Sequence, residues 1–178
     1  MMRPGCKNST RIFSADSAPN RSTANGSADR ERRSSTTGRG SDYVADFRIV
    51  LAAHGALASG FLASAELICG PLPNVLPVPL EASDSPESYR ERLVAAMGDP
   101  AEPLLVLTDL RGGTPHNVAC VVVRDYPRAV LVSGINLAIL IEAATSLSTL
   151  DEDAVDRLVA AGRDNLVVVR RLVAERAP

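Results

Sequence analysis

The chain has 178 residues, 46% of them hydrophobic and only 3% aromatic, with a net charge of −2 and a pI of about 5.7. That length suits one ordinary domain with room for a tail, and Val, Leu, Ile and Ala must fill its core. A near-neutral balance excludes the broad basic footprint of a nucleic-acid-binding protein, and no apolar stretch approaches the ~20 residues of a membrane-spanning helix.

Residues 1–40 are rich in Ser, Arg, Thr, Asn and Gly and show no sustained apolar period. Such a segment buries too little surface to offset its ordering entropy. Charge divides at the same place: residues 1–46 carry a net +3 and residues 47–178 a net −5. The expectation is a disordered Ser/Arg-rich extension over 1–46 and one domain over 47–174. A transit peptide would share the Ser and Arg content, but Asp16, Asp29 and Glu31 argue against it. A bacterial alternative start at Val44 is the other reading. No apolar run near the N-terminus reads as a secretory leader. Cys6, Cys69 and Cys120 are scattered and show no metal-ligand spacing. Both points fit a reducing cytoplasm. Cys69 and Cys120 sit in apolar surroundings and read as small core residues.

From Phe47 the pattern alternates between β-rich runs and amphipathic stretches. Arg48–Ala53 reads as a buried strand and Leu57–Cys69 as a helix closed by Gly70 and Pro71. Val75–Leu80 reads as a strand that its two prolines push to a sheet edge. Asp84 or Ser85 caps a helix to about Met97, with Pro86 in its first turn. Leu104–Thr108 is a third strand. Thr114 is the expected cap of a helix running from Pro115 to about Arg124. Ala129–Ser133 is a fourth strand, Leu137 to about Leu147 a helix, and Asp151 starts another that ends near Gly162. Leu166–Val169 is the expected last strand. Strands alternating with helices imply an α/β fold with a mostly parallel central sheet and helices on both faces.

Two segments carry chemistry. His54 directly follows the first strand, where ligands of open α/β sheets bind; the plain alternative is a loop histidine satisfied by a backbone carbonyl. Asp109–Asn117 follows the third strand and opens a helix. Gly112 and Gly113 let the backbone turn closely around a ligand, and the N–H groups of a helix start suit a phosphate. The Gly-Lys-Ser/Thr of a nucleotide-binding loop is missing. If the first and third strands are neighbours, Asp109 accepts the Nδ1 proton of His54 and leaves Nε2 free as a nucleophile. Gly112, Gly113 and Thr114 then face the phosphoryl oxygens, with Gly55 beside the histidine.

These segments resemble the mannose/fructose/sorbose-type IIA component of the bacterial phosphoenolpyruvate-dependent sugar phosphotransferase system. His54-Gly55-x-x-Ala58-x-Gly60, Asp109-Leu110-x-Gly112-Gly113-Thr114-Pro115-x-Asn117 and Gly134-Ile135-Asn136-Leu137-x-x-Leu140 match its three motifs in order. The resemblance covers about Phe47 to Val169. It implies that His54 takes a phosphoryl group from the histidine-containing carrier HPr and passes it to a IIB component on a separate chain. The group would then reach a sugar crossing the membrane components IIC and IID. It implies Asp109 as the partner of His54, a homodimer exchanging the Leu166–Val169 strand, and no metal or organic cofactor. Arg111 and His116 stand where the family commonly has aromatic residues, and Ala138 where it often has Pro. His116 reads as an exposed first-turn residue. A regulatory module of the same fold, including the dihydroxyacetone-kinase type of phosphocarrier, is the alternative. A metal or redox site built on His54, His116 and the cysteines lacks a ligand-like spacing.

Overall fold

The computed structural model describes residues 45–169. The readings of the N-terminal extension, including the transit peptide and the start at Val44, therefore lie outside the described residues apart from positions 45 and 46. Ala45 is already buried in the core.

Four strands, β1 (Arg48–His54), β2 (Val75–Leu80), β3 (Leu104–Thr108) and β4 (Ala129–Ser133), form one parallel sheet in the order β2-β1-β3-β4. Five helices follow: α1 (Leu57–Cys69), α2 (Pro86–Met97), α3 (Thr114–Val122), α4 (Leu137–Thr145) and α5 (Glu152–Asp164). A 3-10 turn over Val123–Asp125 closes α3. The sequence reading of an α/β domain holds. Among the described residues no helix is long and apolar enough to cross a membrane.

The alternation of side chains along the strands sorts the core into two layers. Ile49, Leu51, Leu105 and Leu107 face α1, α4 and α5. Val50, Ala52, Leu104 and Val106 face α2 and α3. β1 and β3 are thus covered on both sides, which is why they read as unbroken apolar runs. Tyr89 of α2 is fully buried and spends its hydroxyl on the Val78 carbonyl at 3.1 Å; burial pushes its pKa up.

The prolines of β2 behave as their chemistry requires. β2 lies at the sheet edge, and it accepts from β1 through alternate carbonyls, as in Ile49 N–H to Asn74 O at 2.9 Å and Gly55 N–H to Leu80 O at 2.8 Å. Pro77 and Pro79 occupy the other parity and face outward, where no N–H is needed.

Two expectations change. Thr114 is not the cap of α3 but its first residue; Gly113 is the cap, and no side chain bonds there. Leu166–Val169 forms no strand with the sheet of this chain, and Leu166 is 79% exposed. A strand exists only when paired, and this apolar segment lies on no neighbour strand among the described residues.

Candidate functional site

The sheet order makes β1 and β3 neighbours, in register from Arg48 opposite Leu104 to Ala52 opposite Thr108. From β1 the chain passes to β2 on one side with α1 on one face. From β3 it passes to β4 on the other side with α3 on the opposite face. The crevice at the carboxyl ends of β1 and β3 is the point where the winding reverses. His54 ends β1 there, and Asp109 comes directly after β3.

The two side chains meet. Asp109 Oδ2 accepts from the His54 backbone N–H at 2.9 Å and lies 2.8 Å from His54 Nδ1. Asp109 Oδ1 accepts from the Leu110 N–H at 2.7 Å. Burial would raise the Asp109 pKa, but the hydrogen bonds from the His54 backbone and ring and from Leu110 outweigh it and hold the carboxyl below its ordinary range. An ionised carboxylate only accepts. The proton of a neutral His54 ring therefore sits on Nδ1, and Nε2 keeps its lone pair. The His54 side chain is 44% exposed against 9% for Asp109, so the acid is enclosed and the base is presented to solvent.

The glycine pair has two separate roles. Gly112 adopts φ +84°, a conformation that a residue with Cβ resists. Gly113 touches the histidine: a Cβ built on it would lie 2.7 Å from His54 Cε1 and 3.3 Å from Nε2. The ring edge rests where a side chain would be. Asp109 thus fixes one edge of the imidazole and the bare Cα of Gly113 bounds the other.

The N–H groups expected to face a phosphoryl group divide. That of Gly55 donates to Leu80 O at 2.8 Å in the ladder between β1 and β2, and that of Gly113 to Leu110 O at 3.0 Å within the turn, so both are engaged. The first-turn N–H groups of α3, beginning with Thr114, have no acceptor one turn back within their helix. Asn117 locks the turn by donating from Nδ2 to Gly112 O at 2.8 Å.

His116 is half-buried, not exposed as the sequence suggested, because its ring turns back onto the end of β3. Burial and the Arg111 guanidinium both lower its pKa. Among the described residues no three His, Cys, Asp or Glu side chains converge as metal ligands. Open clefts lie at the far end of the sheet, such as one of about 650 Å³ beside Arg48, Asn74, Asp99 and Pro103. Sequence reasoning missed Gly113 as the floor of the histidine ring. A Gly-Gly pair at a strand-to-helix turn signals close approach, but not to what.

Residues 48–160 match the family described as the PTS system fructose IIA component. The chain belongs to this family of phosphotransferase-system IIA components. The sorbose-specific EIIA component of Lacticaseibacillus casei is 30% identical over 57% of this chain and 75% of its own length. The mannose-specific EIIAB component of Escherichia coli K12 is 29% identical over 72% of this chain, which spans only 41% of that relative. Among solved structures, the mannose/sorbose-specific IIA subunit from Enterococcus faecalis superposes with a TM-score of 0.63 at 36% identity, over 68% of this chain and 92% of that one. IIA components are phosphotransfer components, so membership supports a phosphocarrier role in a sugar phosphotransferase system. The family match spans His54, Asp109 and the Gly112–Gly113 turn.

Proposed function

We propose that this IIA component carries a phosphoryl group on His54 Nε2, taken from HPr and handed to a IIB component. The observation that carries the reading is the pair of bonds from Asp109 Oδ2 to the backbone and ring of the same histidine. In the neutral ring they leave the lone pair on Nε2, in a side chain that is presented to solvent.

In the transfer, the Nε2 lone pair forms the new P–N bond as the P–N bond to the donor histidine of HPr breaks. The Nδ1 proton stays in place, and the positive charge that develops on the ring is offset by Asp109. Transfer of this kind depends on positioning and charge stabilisation. Asp109 and Gly113 supply the first by holding the ring from two edges. The backbone N–H groups at Gly112 and Thr114 supply the second for the phosphoryl oxygens, beside the positive end of α3. Gly55 and Gly113 shape the cradle without donating to it. Passing the group to IIB reverses the same step, and the sugar then enters through IIC and IID.

An exposed nucleophile fits a macromolecular donor and acceptor better than a small substrate, which calls for an enclosing pocket. The protein acts in the cytoplasm, where HPr and IIB meet it, and works as a homodimer in which Leu166–Val169 pairs with a second copy. Its exposed Leu and Val side chains support that pairing.

The test is incubation with labelled phosphoenolpyruvate, Enzyme I and HPr. The wild-type chain takes up one acid-labile, base-stable label, and His54→Ala takes up none. Label retained by His54→Ala overturns the assignment.

A further inference from the structure

The His54 ring rests on Gly113, and glycine is the least rigid residue on which to rest a reacting group. It has more backbone freedom to lose than any other residue, and Gly112 before it has the same freedom. The peptide unit that leads into the Gly113 Cα is gripped at both ends. Its N–H donates to Leu110 O at 3.0 Å, and its carbonyl, that of Gly112, accepts from Asn117 Nδ2 at 2.8 Å. The next unit joins Gly113 to Thr114, and its carbonyl accepts from the Asn117 backbone N–H at 2.9 Å. Asn117 therefore holds the peptide units on both sides of the Cα that faces His54 Cε1 and Nε2. The backbone bond is the first ordinary bond of α3, open to any residue at this position. The side-chain bond is particular to Asn117. Asn117 is exposed, so its amide is not there to satisfy a buried group.

We infer that Asn117 is a positioning residue for phosphoryl transfer: its side-chain amide fixes the Gly112–Gly113 peptide unit, and that unit fixes the His54 ring. The inference rests on His54 as the phosphoryl acceptor. Asn117 acts through Gly113 and not on the phosphoryl group itself. Without the amide, the Gly112 carbonyl turns to water and the peptide unit rocks about the torsions of two glycines. Asp109 still holds the ring at Nδ1. A ring held at one edge tilts about that edge, and Nε2, on the far side, moves most. Transfer depends on placing the attacking atom in line with the breaking bond, and small displacements there are costly. If the amide only closed the first turn of α3, its loss would lower stability and leave the rate alone.

The full chain is phosphorylated over a range of phosphorylated HPr concentrations, and separately with phosphoramidate, a small donor that needs no protein docking. Asn117→Ala is expected to lower kcat about tenfold, to leave the KM for HPr unchanged, and to lower the phosphoramidate rate by the same factor. Asn117→Gln keeps the amide and is expected to recover most of the rate. Asn117→Leu, close to Asn in size but without a donor, gives the same comparison should the alanine variant fold poorly, judged by circular dichroism. The double variant carrying Asn117→Ala and Gly113→Ala is expected to be no slower than Gly113→Ala alone, because residues acting through one contact do not add. A kcat within about twofold of wild type in both Asn117→Ala and Asn117→Leu overturns the proposal, as do losses that multiply in the double variant. His54→Ala run alongside separates the two claims. Label on it overturns the acceptor assignment, whereas an unlabelled His54→Ala beside full-rate Asn117 variants overturns the role of Asn117 alone.

Discussion

Four strand-to-helix junctions line the carboxyl edge of the sheet, and they fall into two kinds. At the outer pair, side chains cap the helices: Ser85 accepts from the Ser88 N–H before α2, and Asn136 accepts from the Ile139 N–H before α4. At the inner pair, after β1 and β3, the cap positions are Ala56 and Gly113 and no side chain bonds there. A capping side chain stabilises a helix by about 1 kcal/mol. The inner junctions forgo that contribution, and they are the two that hold His54 and Asp109. The outer junctions are closed by a side chain, whereas the inner ones carry no side-chain cap.

Changes at the two kinds of junction should separate cleanly. The largest effect is expected for Asp109→Ala, which frees the ring and removes the charge that offsets it. The rate of His54 phosphorylation should fall about 10²–10⁴-fold, read as initial label uptake from phosphorylated HPr. A rate within twofold of wild type would mean that Asp109 serves only the fold. Next comes Gly113→Ala. Its Cβ would meet the ring at 2.7 Å, and displacing a reacting group by about 1 Å can cost about 10²-fold. The expected result is a large loss of rate with a nearly unchanged melting temperature. At an outer junction the pattern inverts: Ser85→Ala lowers stability by about 1 kcal/mol in urea unfolding and leaves the phosphorylation rate unchanged.

The smallest effect is in pH. Asp109 has a lowered pKa in the folded chain, so its ionised form is favoured by folding. Its contribution is complete above the ordinary Asp value of about 3.9 and is lost as pH falls through the lower folded value. The difference in melting temperature between wild type and Asp109→Asn should therefore shrink below about pH 4 and stay constant from pH 5 to 7. A gap that widens in acid would contradict the assigned direction.

Much of this was legible from residue types alone. The buried strands β1 and β3 are apolar runs too short to be helices, and the Gly or Pro at their flanks fixed their limits. Prolines placed β2 at the edge because an interior strand cannot spare the N–H. His54 and Asp109 could be paired once β1 and β3 were assumed adjacent, and the sheet order supports that assumption. Thr114 misled because Thr and Gly both start helices, and only backbone angles decide which one does. His116 misled because a first-turn position says nothing about which way the ring folds. Leu166–Val169 has strand-forming side chains, but pairing is a property of neighbours and not of composition.

The outward prolines of β2 also set how this sheet can grow. Pro77 and Pro79 present no N–H to a newcomer, so that edge cannot template another strand. Any strand added to the sheet, from this chain or another copy, must lie beside β4. A sheet open at only one margin can zip to a single neighbour, after which both margins are shut. Prolines chosen for an edge thus act as a chain terminator, and they keep a protein with an exposed apolar run from polymerising through its sheet.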